Sequence, residues 1–253
     1  MKNLSKAGYL MFAISIIGLG ILSVISKDFI VGRPPAWPAS FSGNPALAYI
    51  SGAVLVLAGI AVLFRTKAGL ASLVIALVIF LLSASRHLSV LMENGLNMYK
   101  TLALVGGAFI IACYFYKEDR ETVPAFMAKE STRKRIILAG TILLALFFVQ
   151  GGYAHFKYAD FVKDFIPSYI PFRPFWAYFC GICLIAGGIG ILIPQIRRLA
   201  ALLSGIMVFG WFVLLHIPRF IMDTTNASDR MGLGESLAFS GIFFVLATLF
   251  SKE

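Results

Sequence analysis

Charged side chains are scarce in this chain: 13% of its 253 residues are Asp, Glu, Lys or Arg, where a soluble domain has about 25%. The acidic residues number only 12, against 22 basic ones. Because 59% of the residues are hydrophobic, this shortage of charge excludes an ordinary soluble enzyme. Histidine and cysteine are also rare, three of each, so few positions can carry acid–base, metal or thiol chemistry.

Eight stretches without any charged residue are long enough to suggest membrane crossings. A crossing helix needs about 20 apolar residues. The predicted helices lie near 7–26, 46–64, 68–88, 98–116, 134–155, 174–194, 198–218 and 234–251. The runs show no barrel-like alternation, and a backbone in lipid must satisfy its own hydrogen bonds, so only helices are expected to span. The predicted fold is an all-α integral membrane protein with eight transmembrane helices.

The two halves of the chain resemble each other. A shift of 129 residues aligns them without a gap from Pro38 on Pro167 to His87 on His216, and the match resumes after a six-residue insertion. Four helices return the chain to the side on which it began, so the two repeats are expected to be parallel. The expected units are a first four-helix repeat at 1–116, a charged cytoplasmic linker at 117–135 and a second four-helix repeat at 136–253.

The basic residues are unevenly divided between the two sides of the membrane. In the eight-span topology, thirteen Lys and Arg fall on one side and nine on the other. Basic residues are enriched in cytoplasmic loops, so both termini are expected in the cytoplasm of a bacterial inner-membrane protein. The net charge of +10 then records topology, and no nucleic-acid partner is expected.

The third outer loop contains an amphipathic segment, YADFVKDFIP. Phe161 and Phe165 lie four residues apart on one face, with Asp160 and Lys163 on the other, which predicts a short helix in the outer membrane interface. The proline-rich run that follows cannot continue a regular helix. The aromatic residues expected to form part of an interfacial belt are Trp37, Trp176, Tyr169 and Tyr178.

All three histidines fall near the outer ends of predicted helices, beside other polar side chains. Such groups are costly at the membrane boundary unless they are paired, which makes them candidates for function. The candidate ligand-binding residues are His155, Asp160, His216, Arg219, His87 and Gln150. The alternative is that these helix-end groups simply reach water or lipid phosphate. No two histidines have a spacing of four with a carboxylate alongside, so no metal site is expected.

Cys180-Gly-Ile-Cys183 is a CxxC pair near the outer start of the sixth predicted helix. The positive end of a helix favours a thiolate, so Cys180 and Cys183 form a candidate redox pair. The aligned positions of the first repeat are Ser51 and Val54, so the pair is not part of the duplicated framework. The alternative is two buried cysteines that happen to lie three residues apart.

The second repeat also carries a longer pattern: a small residue and His-Phe at the end of its first helix, a Pro-aromatic start of the second, a PxxRRLA turn and a closing His. The matching residues are Gly151, His155, Phe156, Pro171, Trp176, Gly181, Gly188, Arg198, Leu199, Ala200 and His216. This pattern resembles the DoxX and DoxX-like family of four-helix membrane proteins. The first repeat matches more weakly, with Ser26 and Lys27 in the places of His155 and Phe156, so the chain looks like a two-copy member.

The resemblance implies a membrane redox component near the quinone pool. The family takes its name from the small subunit of a thiosulfate:quinone oxidoreductase, and it is similar to membrane proteins that support methylamine dehydrogenase maturation through disulfide chemistry. The implied ligand is a non-covalently bound quinone, and the implied partner is a periplasmic or membrane protein that carries a cofactor. Whether the chain is itself an oxidoreductase stays open.

A quinone head group needs hydrogen-bond donors and a proton acceptor at the membrane interface, which His155, His216, Arg219 and Asp160 are expected to supply. The alternative is a non-catalytic membrane subunit for lipid binding, transport or assembly of a partner. In either case, the predicted spans contain no acidic residue deep within a helix, which disfavours a proton-coupled pump.

Overall fold

The structure is a computed structural model that describes residues 2–32, 45–87 and 95–250, and helices dominate that part of the chain. The α-helices are α1 (Lys2–Ser26), α2 (Ala46–Leu63), α3 (Ala68–His87), α4 (Gly95–Asp119), α5 (Glu130–Lys157), α6 (Ala159–Phe165), α7 (Arg173–Gly190), α8 (Arg197–Trp211), α9 (Ile217–Met222) and α10 (Ala227–Leu249). A π-helical turn, Phe212–His216, joins α8 to α9 in one continuous span. Among the described residues, eight helices are long and apolar enough to cross a membrane, which confirms the predicted number of spans. The chain is a multi-pass membrane protein.

Several helices extend beyond their predicted ends. The predicted spans were drawn around uncharged runs with a few flanking residues, and the last helix was predicted to begin at 234. In the structure, α10 starts at Ala227 because the side chain of Asn226 accepts hydrogen bonds from the Ser228 and Asp229 amides, at 2.9 and 3.2 Å. This N-cap satisfies backbone donors at the start of the helix. Because α10 begins seven residues before the predicted start, Glu235 is its ninth residue and is buried, so the prediction that no acidic residue lies deep within a span is wrong.

The spanning helices pack in a closed ring. Each contacts the next in the order α1, α2, α3, α4, α5, α7, α8 and α10, and α10 contacts α1 again. Helices α4 and α10 also contact each other across the ring. The interior is filled by fully buried apolar side chains such as Phe12, Phe115 and Phe243, while large apolar side chains cover the outer surface. Such a surface is suited to contact with lipid.

Glycines set the closest approaches between neighbouring helices. Four pairs bring backbone against backbone: Gly8–Gly241, Gly20–Gly52, Gly140–Gly106 and Gly152–Gly181. A methyl group on the first glycine of each pair would lie 2.6 or 2.7 Å from the carbonyl oxygen of the second. Small residues at these positions therefore allow the tight helix packing that is typical of membrane bundles.

The linker is partly buried against the bundle, although ten of its nineteen residues are charged. Val123 and Met127 are buried against Ala112 and Cys113. Asp119 accepts a hydrogen bond of 2.6 Å from the amide of Gly69 and so caps the start of α3. A few apolar side chains and one capping carboxylate are enough to hold the linker against the bundle.

The short helix predicted after the fifth span is present as α6, with the rings of Phe161 and Phe165 5.5 Å apart. The first-half counterpart of the proline-rich run that follows α6, the loop with Trp37, lies outside the described residues. The following segment is tied to the bundle by Tyr169, whose hydroxyl donates to the carbonyl of Leu214.

Candidate functional site

Two adjoining cavities open between α5, α6, α8 and α10, with volumes of about 370 and 670 Å³. We refer to them together as the pocket. The residues that line both cavities are His155, Phe161, Val162, Phe165, Trp211, His216 and Met231. The larger cavity also extends to Cys180 and Trp176 on α7. This size and mostly apolar lining are typical of sites for small organic ligands.

His155 is held in one orientation by two contacts. Its Nδ1 lies 2.8 Å from the carbonyl oxygen of Ala177 on α7. Its ring stacks on Trp211, with centroids 6.1 Å apart and planes 19° apart. A carbonyl can only accept, so Nδ1 carries the proton of the neutral ring and Nε2 is left as an acceptor. His155 can therefore receive a hydrogen bond from a hydroxyl group in the pocket.

The π-helical turn brings Trp211 and His216 to the same side of their helix. In an i→i+5 turn, residues five apart lie nearly above one another, which an α-helix does not allow. Pro218 follows the turn and has no N–H to donate to the carbonyl of Leu214, four residues earlier. The Tyr169 hydroxyl donates to that carbonyl instead. A proline and a tyrosine thus stabilise the turn that builds one wall of the pocket.

His216 packs against α10 at Gly232, where a methyl group would lie 2.6 Å from its Nδ1. This Nδ1 is buried, and within the described part of the chain it has no hydrogen-bond partner. A buried polar atom without a partner costs free energy unless a ligand or water satisfies it. His216 is therefore the ring whose hydrogen bonding a ligand would complete.

Arg219 joins α6 to α10 beside the pocket rather than lining it. Its Nε lies 2.8 Å from a carboxylate oxygen of Asp229, whose side chain is 5% exposed. Its Nη1 donates to the carbonyl of Phe165 at 3.3 Å, and the guanidinium lies 3.7 Å from the centre of the Phe165 ring. Arg219 therefore positions the aromatic wall that α6 contributes.

Lys100 and Glu235 form an ion pair in the wall of the smaller cavity, and neither residue was predicted from the sequence. The Lys100 Nζ lies 2.8 Å from Glu235 Oε2, and these side chains are 13% and 4% exposed. The other carboxylate oxygen accepts a hydrogen bond of 2.8 Å from the Gly32 amide. Both residues line the cavity together with His155 and His216. The signal was present in the sequence as two charges at the ends of apolar runs, but each was interpreted as a helix end.

The other predicted ligand-binding residues do not line the pocket in the described structure. Asp160 is 98% exposed and pairs with Lys163 at 3.0 Å, and this hydrogen bond raises the pKa of the Lys163 ammonium group. Gln150 is half-buried on α5. His87 is buried in the other half of the molecule, with its ring beside Gly32.

The two cysteines of the CxxC pair are both free thiols, and they differ in position. Cys180 lines the larger cavity with His155 and Trp211. Cys183 lies one turn further along α7 and is not among the residues that line the described cavities. Only one thiol of the predicted redox pair thus reaches the pocket directly.

A family model described as a domain of unknown function (DUF8561) matches residues 144–229, about a third of the chain. The match includes His155, Cys180, His216 and Arg219, but neither Lys100 nor Glu235. No curated protein and no solved structure matches the chain.

Proposed function

We propose that the pocket binds a membrane-dissolved molecule with an apolar tail and a hydrogen-bonding head group, of the quinone class. The observation that carries this proposal is the convergence of two histidines in an apolar cavity of a membrane protein. His155 offers an acceptor at Nε2, and His216 has a buried nitrogen that lacks a partner among the described residues. Aromatic side chains from α6 and α8 provide the apolar walls.

We further propose that the chain is a DoxX-like, quinone-linked redox component. Oxidation of the Cys180 and Cys183 thiols to one disulfide would release two electrons and two protons, the number that a quinone takes up on reduction to the quinol. The position of Cys180 in the pocket wall supports this assignment. The location of Cys183 away from both cavities favours the alternative, a non-catalytic subunit that binds or transports a lipid or assembles a partner protein.

Quinone binding to the purified protein tests the first proposal, with fluorescence of Trp211 as the signal, since this ring lies in the pocket wall. Quinones quench nearby indole rings. We expect His155→Leu and His216→Ala each to weaken binding by about tenfold or more, the effect of one lost hydrogen bond to a buried group. Gln150→Leu is the matched control, because Gln150 lies on α5 beside the pocket without lining it. Undiminished binding in both histidine variants would contradict the site assignment.

A thiol count after incubation with quinone separates the redox role from the alternative. Loss of two thiols per chain in wild type, but not in Cys180→Ser, is expected of the redox component. Quinone or lipid binding with no change in thiol content would support the non-catalytic subunit. Recovery of a cofactor-bearing protein in mild detergent would identify the redox partner.

We also propose that the eight helices are two parallel repeats, with both termini in the cytoplasm of a bacterial inner membrane. The helix contacts support the division into two repeats, since exchanging the halves maps the ring of contacts onto itself. One glycine pair of the first half has a counterpart at matching positions of the second half, Gly20–Gly52 with Gly152–Gly181. In this register the first helices are offset by 132 residues, so Ser23, rather than Ser26, corresponds to His155.

A further inference from the structure

In the first half, a segment of the chain is buried at the place that corresponds to the pocket of the second half. Phe29, Ile30 and Val31 are each at most 1% exposed. We call residues 29–32 the plug. Arg86, itself 1% exposed, holds the plug by donating to the carbonyls of Phe29 and Val31.

The plug contacts residues that correspond to the pocket lining in the proposed repeat register. The amide of Ile30 lies 3.4 Å from Ser23 Oγ, and Ser23 corresponds to His155. A methyl group on Gly32 would lie 3.5 Å from the ring of His87, which corresponds to His216. The Gly32 amide donates to Glu235, which corresponds to Lys100. His155, His216 and Lys100 all line the smaller cavity of the second half.

The two halves also differ in the size of one side chain at this place. Leu19 of α1 is fully buried, and in the proposed register it corresponds to Gly151 of α5. Gly151 lines the smaller cavity, with its nearest neighbour 3.8 Å from where a methyl group would lie. The plug and Leu19 thus occupy, in the first half, the place that corresponds to the smaller cavity of the second half.

We propose that Lys100 is the head-group donor of the pocket and that the ligand presents an oxygen acceptor to it. In the first half, the Gly32 amide of the plug donates a hydrogen bond to the carboxylate of Glu235. In the second half the equivalent residue is Lys100, so donor and acceptor exchange places. The Lys100 Nζ also lies 3.1 Å from the Met231 sulfur, a weak acceptor that a carbonyl or phosphate oxygen would replace.

This proposal rests on the proposed function and specifies its ligand more closely. An oxygen acceptor on an apolar tail occurs both in quinones and in lipid esters, so the test uses both. The probes are decylbenzoquinone, decylbenzene, which has the same tail without oxygen, and dioctanoyl phosphatidylglycerol. Binding is followed by Trp211 fluorescence or, for the non-quenching probes, by competition with the quinone. The Trp211→Phe variant serves as the blank, because the part of the fluorescence change that is lost in it comes from the pocket.

The informative comparison is between Glu235→Gln, which keeps Lys100, and the double variant Lys100→Met with Glu235→Gln. The double variant removes the donor without leaving a buried carboxylate unpaired. We expect the double variant to bind the oxygen-bearing probe about 10–100-fold more weakly than Glu235→Gln, the range for a hydrogen bond to a charged group. Whichever of the two oxygen-bearing probes shows this loss identifies the source of the acceptor. Melting temperatures check folding, and Lys100→Leu with Glu235→Gln, which also has no donor at position 100, replaces the double variant if it unfolds.

Equal affinities of wild type for decylbenzene and decylbenzoquinone would overturn the proposal for Lys100 while leaving the apolar pocket in place. Equal binding of the oxygen-bearing probes by the double variant and by Glu235→Gln would also overturn the proposal for Lys100. Failure of all three probes to reach the pocket would instead contradict the proposed function itself.

Discussion

Replacing Arg86 by methionine is expected to destabilise the protein far more than removing an exposed arginine. Arg86 is 1% exposed and lies 3.2 Å from a carboxylate oxygen of Asp28, which is 18% exposed. It also donates to two carbonyls of the plug, including that of Val31 at 3.1 Å. Methionine has a similar length and no donor, so the variant leaves three acceptors without their arginine.

The size of the effect follows from burial. Removing one partner of a buried ion pair costs about 3–5 kcal/mol, because the other charge stays in a poorly solvated place. For a chain of 253 residues, where 1 kcal/mol shifts the melting temperature by about 2–4 °C, the expected loss is about 6–20 °C. Thermal unfolding in detergent, monitored by circular dichroism, measures it.

Arg65→Met is the matched control, since Arg65 also pairs with a carboxylate, that of Glu118 at 2.5 Å. Here the side chains are 50% and 43% exposed, and such pairs contribute about 0–1 kcal/mol. The melting temperature of Arg86→Lys should lie between those of Arg86→Met and Arg65→Met, because an ammonium group keeps the charge but lacks the planar fork of donors. Melting temperatures of Arg86→Met and Arg65→Met within about 2 °C of each other would refute this reasoning.

Two further predictions concern the helix contacts and the pocket. Gly152→Val should destabilise the protein by about 1–3 kcal/mol, because the larger side chain overpacks the contact with α7. The control is Gly18→Ala, since a methyl group at Gly18 meets nothing within 4 Å; this variant should be neutral or stabilised by up to about 1 kcal/mol. Equal melting temperatures of the two variants would contradict the close packing at Gly152. A saturating pocket ligand should slow maleimide labelling of Cys180 but not of Cys183, measured by mass spectrometry of each peptide; equal protection of both thiols would argue against the pocket as the binding site.

The spans were predictable because their cause is local. A long apolar run must form a helix in lipid, whatever surrounds it, so composition alone located all eight. The ends were less predictable, since they depend on capping and on whether a charge finds a partner. Glu235 was taken as a boundary because its partner, Lys100, lies 135 residues away in sequence. A pair so distant in sequence leaves no local pattern.

Only the part of the candidate site that has a local signal in the sequence was predicted. His155 and His216 were found because histidines are conspicuous near helix ends in an apolar sequence. Their convergence with Cys180 depends on the packing of α5, α7 and α8, and the pocket also needs the π-helical turn before Pro218. Asp160 was predicted as a ligand-binding residue because it lies near His155 in sequence. In the structure it lies on the exposed face of α6, away from the pocket.

The ion pair between Lys100 and Glu235 has a consequence for how the two halves recognise each other. In the proposed register these are the same position in the two repeats, and they meet where α4 crosses α10. Two identical copies of either half would bring two ammonium groups or two carboxylates together in a buried place, which is strongly unfavourable. Separately expressed halves should therefore assemble only as one first half with one second half. The contact between the halves is thus complementary in charge, and it discriminates against self-association of either half.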